Sequence, residues 1–121
     1  LEARKRSYAP YSHYHVGAAL WTQSGKLYTG CNIENAAYGS TMCAERNAVY
    51  GAYCNGYTKK DIKLLAIAAD SATIVSPCGA CRQVLKELIP DECQIILANR
   101  QGYKIMTIKE LLPMAFTEEN L

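Results

Sequence analysis

The chain has little net charge, no long apolar run and no low-complexity segment. Its 121 residues include 13 basic and 11 acidic side chains, which gives a formal net charge of +2. The one basic cluster, Arg4-Lys5-Arg6, is more typical of a solvated helix face than of a surface that binds nucleic acid. No apolar run is long enough to cross a membrane. These absences argue against a nucleic-acid polymer or a membrane as a partner.

Half of the residues are apolar, so a core can form without disulfide bonds. The length fits one domain, which we assign to residues 1–121. We recognise no signal peptide at the start. We therefore expect a location in the reducing cytoplasm, where free thiols can hold a metal.

Three cysteines and one glutamate form the most informative pattern, in Cys43-Ala44-Glu45 and Pro77-Cys78-Gly79-Ala80-Cys81. Two residues between Cys78 and Cys81 let both sulfur atoms reach one metal ion. A structural zinc site usually closes with four protein ligands, whereas a catalytic site keeps one position open for water. Zinc lowers the pKa of that water to about 7, and a neighbouring carboxylate can then move protons. The pattern predicts a zinc-dependent hydrolytic enzyme.

Two arginines stand beside this pattern in the sequence. Three thiolates around one zinc ion leave a net charge of about −1, which weakens the Lewis acidity of the metal. Arg46 and Arg82 could share the thiolate charge through their guanidinium groups. The alternative is that both are ordinary surface charges.

Two other interpretations of the cysteines remain open. Six is an even number, as a disulfide scaffold would have. A closed structural zinc site would need a fourth ligand, and no candidate has the spacing of a ligand pair. The candidates are Cys31, Cys54, Cys93, His13 and His15. The three cysteines among them are more typical of small buried hydrophobic residues.

Hydrophobic periodicity and turn residues predict alternating strands and helices. The predicted strands cover residues 16–21, 26–33, 64–69, 94–98 and 103–107, and the predicted helices cover residues 1–8, 42–55, 78–89 and 108–112. Residues 64–69 and 95–98 are nearly all apolar, which predicts strands buried on both faces. The cysteine pattern falls at two helix starts, which would converge on one metal. The expected fold is α/β: a three-layer α/β/α sandwich with a mixed five-stranded sheet.

Six stretches, all in the right order, resemble the cytidine deaminase family across essentially the whole chain. They are residues 8–12 (YAPYS), 16–20 (VGAAL), 30–36 (GCNIENA), 43–46 (CAER), 77–83 (PCGACRQ), and 111–113 (LLP) with Phe116. The wider superfamily usually has histidine where Cys43 stands, so this chain is similar to the small homotetrameric form with three cysteine ligands. The resemblance implies one Zn²⁺ per subunit, held by Cys43, Cys78 and Cys81.

The resemblance also implies a reaction. Cytidine and 2′-deoxycytidine would be hydrolysed to uridine and 2′-deoxyuridine with release of ammonia, in pyrimidine salvage. Glu45 would carry protons from zinc-activated water to N3 of the base and to the leaving amine. The backbone at Ala44 and Cys78 would contact the base and the attacking water. The partners implied are a nucleoside, water and other copies of the chain.

Five further positions correspond to substrate-binding residues of the family. Asn32 and Glu34 would bind the sugar hydroxyls. Tyr14 stands where the family commonly has a phenylalanine that packs on the pyrimidine ring, and its hydroxyl needs a partner. Tyr38 and Phe116 match positions that approach the active site of a neighbouring subunit in tetrameric members. Ordinary core packing is the alternative for these two.

Three rival functions remain. Related deaminases act on blasticidin-type nucleoside antibiotics and share the cysteine ligands. A deaminase acting on RNA or DNA would need a basic stripe, which this chain lacks. A non-catalytic zinc-stabilised interaction module would need a closed site with four ligands.

Overall fold

A computed structural model describes all 121 residues and contains five strands and three α-helices. The strands are β1 (Val16–Thr22), β2 (Leu27–Cys31), β3 (Ile62–Ala69), β4 (Gln94–Ala98) and β5 (Tyr103–Met106). The helices are α1 (Ala44–Cys54), α2 (Gly79–Leu88) and α3 (Ile108–Leu111). Short 3₁₀ helices lie at Ala3–Arg6, Tyr38–Ser40, Lys59–Asp61 and Glu118–Asn120. None of the helices combines the length and the apolar character that crossing a membrane requires.

The five strands form one mixed sheet in the order β2-β1-β3-β4-β5. β1 is antiparallel to both β2 and β3, and β5 is antiparallel to β4. β3 and β4 are parallel and are joined through α2, because a parallel pair needs a crossover connection. The predicted mixed α/β sheet is confirmed.

Helices α1 and α2 pack against one face of this sheet. The alternation of side chains along each strand turns one set of apolar residues towards these helices. This set is Ala18 and Leu20 from β1, Leu65 and Ile67 from β3, and Ile95 and Leu97 from β4. It forms a single core with Ala48 and Val49 of α1 and Leu85 of α2. The helix starts that carry the cysteines are therefore anchored on the central strands.

The opposite face is covered over β1 by the 3₁₀ helix Ala3–Arg6, whose backbone lies close to Gly17. Leu64 and Ala66 of β3 and Ile96 of β4 point to this face and are only partly buried. The prediction of strands buried on both faces is therefore wrong for these positions. An apolar run is compatible with one buried face and one half-buried face, and periodicity cannot distinguish the two.

Gly30 of β2 sets the distance between the sheet and the start of α1. A β-carbon at this position would lie 2.6 Å from the backbone nitrogen of Ala48 and closer still to the carbonyl oxygen of Ala44. Only glycine permits this approach. The first turn of α1, which holds Glu45, therefore rests directly on the backbone of β2.

Candidate active site and metal centre

The three predicted ligand cysteines lie together at two helix starts. Cys43 is the N-cap of α1, Cys78 is the N-cap of α2 and Cys81 is the third residue of α2. Their sulfur atoms all lie within 4.8 Å of one another, and those of Cys78 and Cys81 are 3.5 Å apart. The local sequence brings Cys78 and Cys81 together, because one helical turn spans the two residues between them. Cys43 arrives through the packing of α1 on the sheet.

Within this cluster the pKa values of Cys43 and Cys81 are shifted in opposite directions. Hydrogen bonding from the Cys81 thiol lowers the pKa of Cys43 to about 5, and Arg46 favours the same thiolate. The same contact with Cys43, together with burial and the Glu45 charge, raises the pKa of Cys81. The cluster thus favours ionisation of Cys43 and disfavours ionisation of Cys81. A divalent cation would remove this conflict by compensating the accumulated negative charge.

The cluster fits zinc by donor type and by spacing. Thiolate sulfur is a preferred zinc donor, and Zn–S bonds of about 2.3 Å in a tetrahedral site place sulfur atoms roughly 3.8 Å apart. The separations within the cluster are compatible with that value. These are also the only three or more Cys, His, Asp or Glu side chains grouped closely enough to hold a metal. Three protein ligands leave the fourth position open, as in catalytic sites.

Arg46 contacts the cluster as predicted. Its Nη2 donates to the sulfur of Cys43 at 3.3 Å, and this contact is the main cause of a raised pKa of the Arg46 guanidinium. Cys81 adds a second favourable interaction with the same charge. Arg46 is therefore in a position to offset the negative charge of the thiolates.

Arg82 has different partners from those predicted. Its Nε donates to the carbonyl of Pro77 at 2.8 Å, its Nη2 donates to Oγ of Ser76 at 2.7 Å, and its Nη1 donates to the carbonyl of Leu111. All three bonds end on oxygen atoms, and none reaches a sulfur. The assignment of Arg82 to thiolate charge is corrected: this side chain holds the backbone that leads into Cys78.

Glu45 lies in the first turn of α1, two residues after Cys43, and only 5% of its surface is exposed. Burial is the largest influence on this carboxyl and raises its pKa, and the negative charge of Cys43 raises it further. Ala44 is fully buried beside it. As the first helical residue, Ala44 has a backbone N–H with no acceptor within the helix, so this donor is free for another partner.

A cavity of about 450 Å³ opens beside the thiol cluster. Eight of the predicted site residues line it: Tyr14, Asn32, Glu34, Tyr38, Cys43, Ala44, Glu45 and Cys78. Cys81 lies behind this wall and is fully buried. Residues that sequence reasoning did not assign to the site also contribute, namely Ser12, Val16, Thr41, Ile67, Val75, Ser76 and Pro77. Of these, Ser12, Val16 and Pro77 belong to motifs quoted for the family resemblance, which was the available signal.

Asn32 and Glu34 are buried at the cavity wall and bind the segment of residues 11–16. The amide of Asn32 donates from Nδ2 to the carbonyl of Tyr14 at 2.8 Å and accepts at Oδ1 from the N–H of Val16 at 2.9 Å. Oε1 of Glu34 accepts from the N–H groups of Tyr11 and Ser12, each at 3.1 Å. Oε2 of Glu34 accepts from the Ser12 hydroxyl. These bonds lower the pKa of the Glu34 carboxyl, and the bond from the Ser12 hydroxyl has the largest effect.

The three aromatic candidates differ in their settings. Tyr14 lines the cavity, and burial is the main cause of its raised pKa. Tyr38 also lines the cavity, is 57% exposed and packs edge-to-face on Tyr11 with ring centroids 6.4 Å apart. Phe116 is equally exposed and lies outside the cavity of its own chain, where its carbonyl accepts from Gln83. Core packing is therefore excluded for Tyr38 and Phe116.

All six cysteines are free thiols. Cys93 is buried, as expected for a small hydrophobic residue, and Cys31 is half-buried. Cys54 is exposed at the end of α1, so its expected burial is wrong. His15 lies 2.5 Å from the hydroxyl of Ser7 through Nδ1, outside the thiol cluster.

A family model described as the cytidine and deoxycytidylate deaminase zinc-binding region matches residues 1–97. This match covers both parts of the cysteine pattern. The chain belongs to this family. It is therefore a zinc-dependent deaminase, with the thiol cluster of Cys43, Cys78 and Cys81 as its zinc site.

Relatives and solved structures agree with this membership. A cytidine deaminase of Halalkalibacterium halodurans is 48% identical over 100% of this chain and 91% of that protein. A crystal structure of a cytidine deaminase from Burkholderia pseudomallei has a TM-score of 0.92 and 44% identity, covering 95% of this chain and 91% of that chain. A blasticidin-S deaminase of Bacillus cereus is 32% identical over 86% of this chain and 78% of that protein.

Proposed function

We propose that this deaminase hydrolyses cytidine and 2′-deoxycytidine to uridine and 2′-deoxyuridine with release of ammonia. The observation that carries the proposal is a single cavity lined by Cys43, Cys78 and Glu45 together with Asn32 and Glu34. Its volume of about 450 Å³ suits a nucleoside. The names of the relatives support cytidine as the substrate class.

Zinc held by the three cysteines, one ion per subunit, would supply the Lewis acidity that makes water nucleophilic near neutral pH. Glu45 is the proton carrier in this scheme, because its carboxylate is buried at the cavity wall beside Cys43. It accepts a proton from the attacking water and passes it to N3 of the pyrimidine, which makes C4 electrophilic. It then carries the second proton from the new hydroxyl to the amine. The C4–N4 bond breaks, and ammonia leaves a C4 carbonyl.

The remaining residues bind and orient the nucleoside. Asn32 and Glu34 would bind the sugar hydroxyls, and Tyr14 would pack on the base, which its position in the cavity wall supports. The free backbone N–H of Ala44 would contact the base edge. Arg46 would moderate the thiolate charge through its bond to Cys43.

We also infer a homotetramer whose active sites lie near subunit interfaces. Several large apolar side chains are exposed, and exposed aromatic residues are enriched in protein interfaces. They include Tyr8, Tyr11, Ile33, Tyr38 and Phe116. Phe116 would reach a neighbouring subunit's site, since it does not line its own. We assign the single catalytic domain, residues 1–121, to pyrimidine salvage in the cytoplasm.

The decisive experiment follows the ultraviolet absorbance of cytidine mixed with purified protein, with and without a zinc chelator. We expect steady conversion to uridine that the chelator abolishes. Glu45→Gln should retain one zinc per chain but lose turnover by roughly two to four orders of magnitude, since it can no longer carry a proton. Near-normal turnover by this variant would disprove the assigned role of Glu45. No conversion of cytidine by the zinc-loaded wild type would favour the antibiotic nucleoside substrate, which a parallel assay with blasticidin S tests directly.

A further inference from the structure

Ser12 lies in the cavity wall and contacts Glu34 twice. Its hydroxyl donates to Oε2 of the Glu34 carboxylate, and its backbone N–H donates to Oε1 at 3.1 Å. The N–H of Tyr11 gives Oε1 a second donor at 3.1 Å. Residues 11–14 form no helix or strand, so these bonds determine the path of the segment. Glu34 is thus enclosed by the loop that it supports.

The distribution of these bonds leaves the two carboxylate oxygens unequal. Oε1 accepts two backbone N–H groups, whereas Oε2 accepts only the hydroxyl of Ser12. An ionised carboxylate can only accept, and each oxygen has two lone pairs. Oε2 of Glu34 can therefore accept one further hydrogen bond. Ser12 and Glu34 both line the cavity, so a hydroxyl of a bound ligand can donate this further hydrogen bond to Oε2.

The same hydroxyl also fixes the residue that faces the base. Oγ of Ser12 accepts from the N–H of Tyr14 at 3.0 Å, while Asn32 holds the carbonyl of Tyr14 at 2.8 Å. Between them His13 has a φ of 58°, so the backbone turns sharply there. Ser12 therefore links the carboxylate of Glu34 to the backbone of Tyr14.

We propose that Ser12 is a positioning and specificity residue for the sugar. Its hydroxyl orients the Glu34 carboxylate so that Oε2 accepts from the 3′-hydroxyl, which cytidine and 2′-deoxycytidine share. A nucleoside without a 3′-hydroxyl cannot donate to Oε2 of Glu34, so the orientation of this carboxylate does not improve its binding. This inference rests on the proposed function, because it assumes a nucleoside in the cavity.

The test compares kcat/KM for 2′-deoxycytidine with kcat/KM for 2′,3′-dideoxycytidine, which differ only at the 3′-hydroxyl, in wild type and Ser12→Ala. The ratio of the two values is the readout. A disturbed Tyr14 would slow both substrates alike, whereas a misplaced Glu34 affects only the substrate with a 3′-hydroxyl. We expect Ser12→Ala to lower the ratio about tenfold, as loss of a hydrogen bond to a charged group would, mainly through a higher KM for 2′-deoxycytidine. If the dideoxynucleoside reacts too slowly, its inhibition constant against cytidine replaces its kcat/KM.

Two variants separate this role from a structural one. Ser12→Thr keeps the hydroxyl and should restore most of the ratio. Ser24→Ala removes a comparable hydroxyl, bonded to Thr22 in the β1–β2 turn, and should leave the ratio unchanged. An unchanged ratio in Ser12→Ala, or no rescue by threonine, would overturn the proposal. If zinc-loaded wild type fails to convert cytidine at all, the proposed function itself fails, and the two failures are thus distinguishable.

Discussion

At the scale of single residues, Arg82 connects two distant parts of the chain beside the metal site. Its guanidinium binds the backbone of Pro77, the hydroxyl of Ser76 and the carbonyl of Leu111. The planar fork of donors suits several acceptors at once, which a lysine ammonium does not. The segment before Cys78 has no regular structure of its own, so Arg82 replaces secondary structure as its support.

We therefore predict that Arg82→Gln lowers the melting temperature by about 5 °C or more and weakens zinc retention. Differential scanning fluorimetry and a zinc assay after dialysis against a weak chelator measure the two effects. Arg100→Gln is the matched control, because Arg100 binds Asp70 in an exposed ion pair at 2.8 Å and such pairs contribute little. Equal zinc retention by the two variants would contradict the prediction.

The metal ligands were predictable from the sequence, whereas the partners of Arg82 were not. The ligand type and the two-residue spacing of Cys78 and Cys81 are local properties that any zinc chemistry must satisfy. Arg82 stands equally close to the ligands in sequence, but one of its acceptors lies 29 residues away on Leu111. That contact exists only in the folded chain. The support that Ser12 gives to Glu34 spans 22 residues and was missed for the same reason.

At the scale of elements, the contact between β2 and α1 positions Cys43 and Glu45. Gly30 allows the first turn of α1 to approach the strand closely, and that turn carries Glu45 two residues after the ligand Cys43. A displacement of the helix would move both residues relative to α2.

We predict that Gly30→Ala destabilises the fold by about 1–3 kcal/mol, as an overpacked contact does, and lowers kcat more than stability alone explains. Chemical denaturation gives the free energy of unfolding, and the cytidine assay gives kcat on the folded fraction. Gly102→Ala is the control, since a β-carbon there meets nothing within 4 Å and the φ angle is not positive. Full turnover by folded Gly30→Ala would show that the close approach does not position Glu45.

The order of the elements was predictable, but the covering of the sheet was not. The helix predicted over residues 1–8 is only a 3₁₀ helix at Ala3–Arg6. Alternating patterns and turn residues gave the five strands within a few residues. Leu64 and Ile96 are half-buried because the face of the sheet opposite α1 and α2 is only partly covered. The local sequence pattern of a strand does not indicate how far its face is covered. The second predicted strand also ended early, at Cys31. The backbone of Ile33 pairs with Met42, and the N–H of Glu34 donates to the carbonyl of Tyr8, instead of continuing along β1.

At the scale of the whole molecule, the exposed aromatic residues around the cavity predict assembly. Sedimentation or light scattering should give a mass four times that of the 13.4 kDa chain. Phe116→Ser should reduce cytidine turnover while leaving zinc content intact, because this side chain would complete the site of a neighbour. A stable monomer with full activity would refute the shared-site arrangement, and a dimer would correct the subunit number.

The two helix starts at the metal site have a consequence for how the protein matures. Cys43 and Cys78 are the N-caps of α1 and α2, yet neither side chain makes a capping hydrogen bond. A conventional cap would contribute about 1 kcal/mol to each helix. These two side chains are instead the proposed zinc ligands. We therefore expect zinc to add stability at these two helix starts, so that zinc scarcity would destabilise the site more than the rest of the fold.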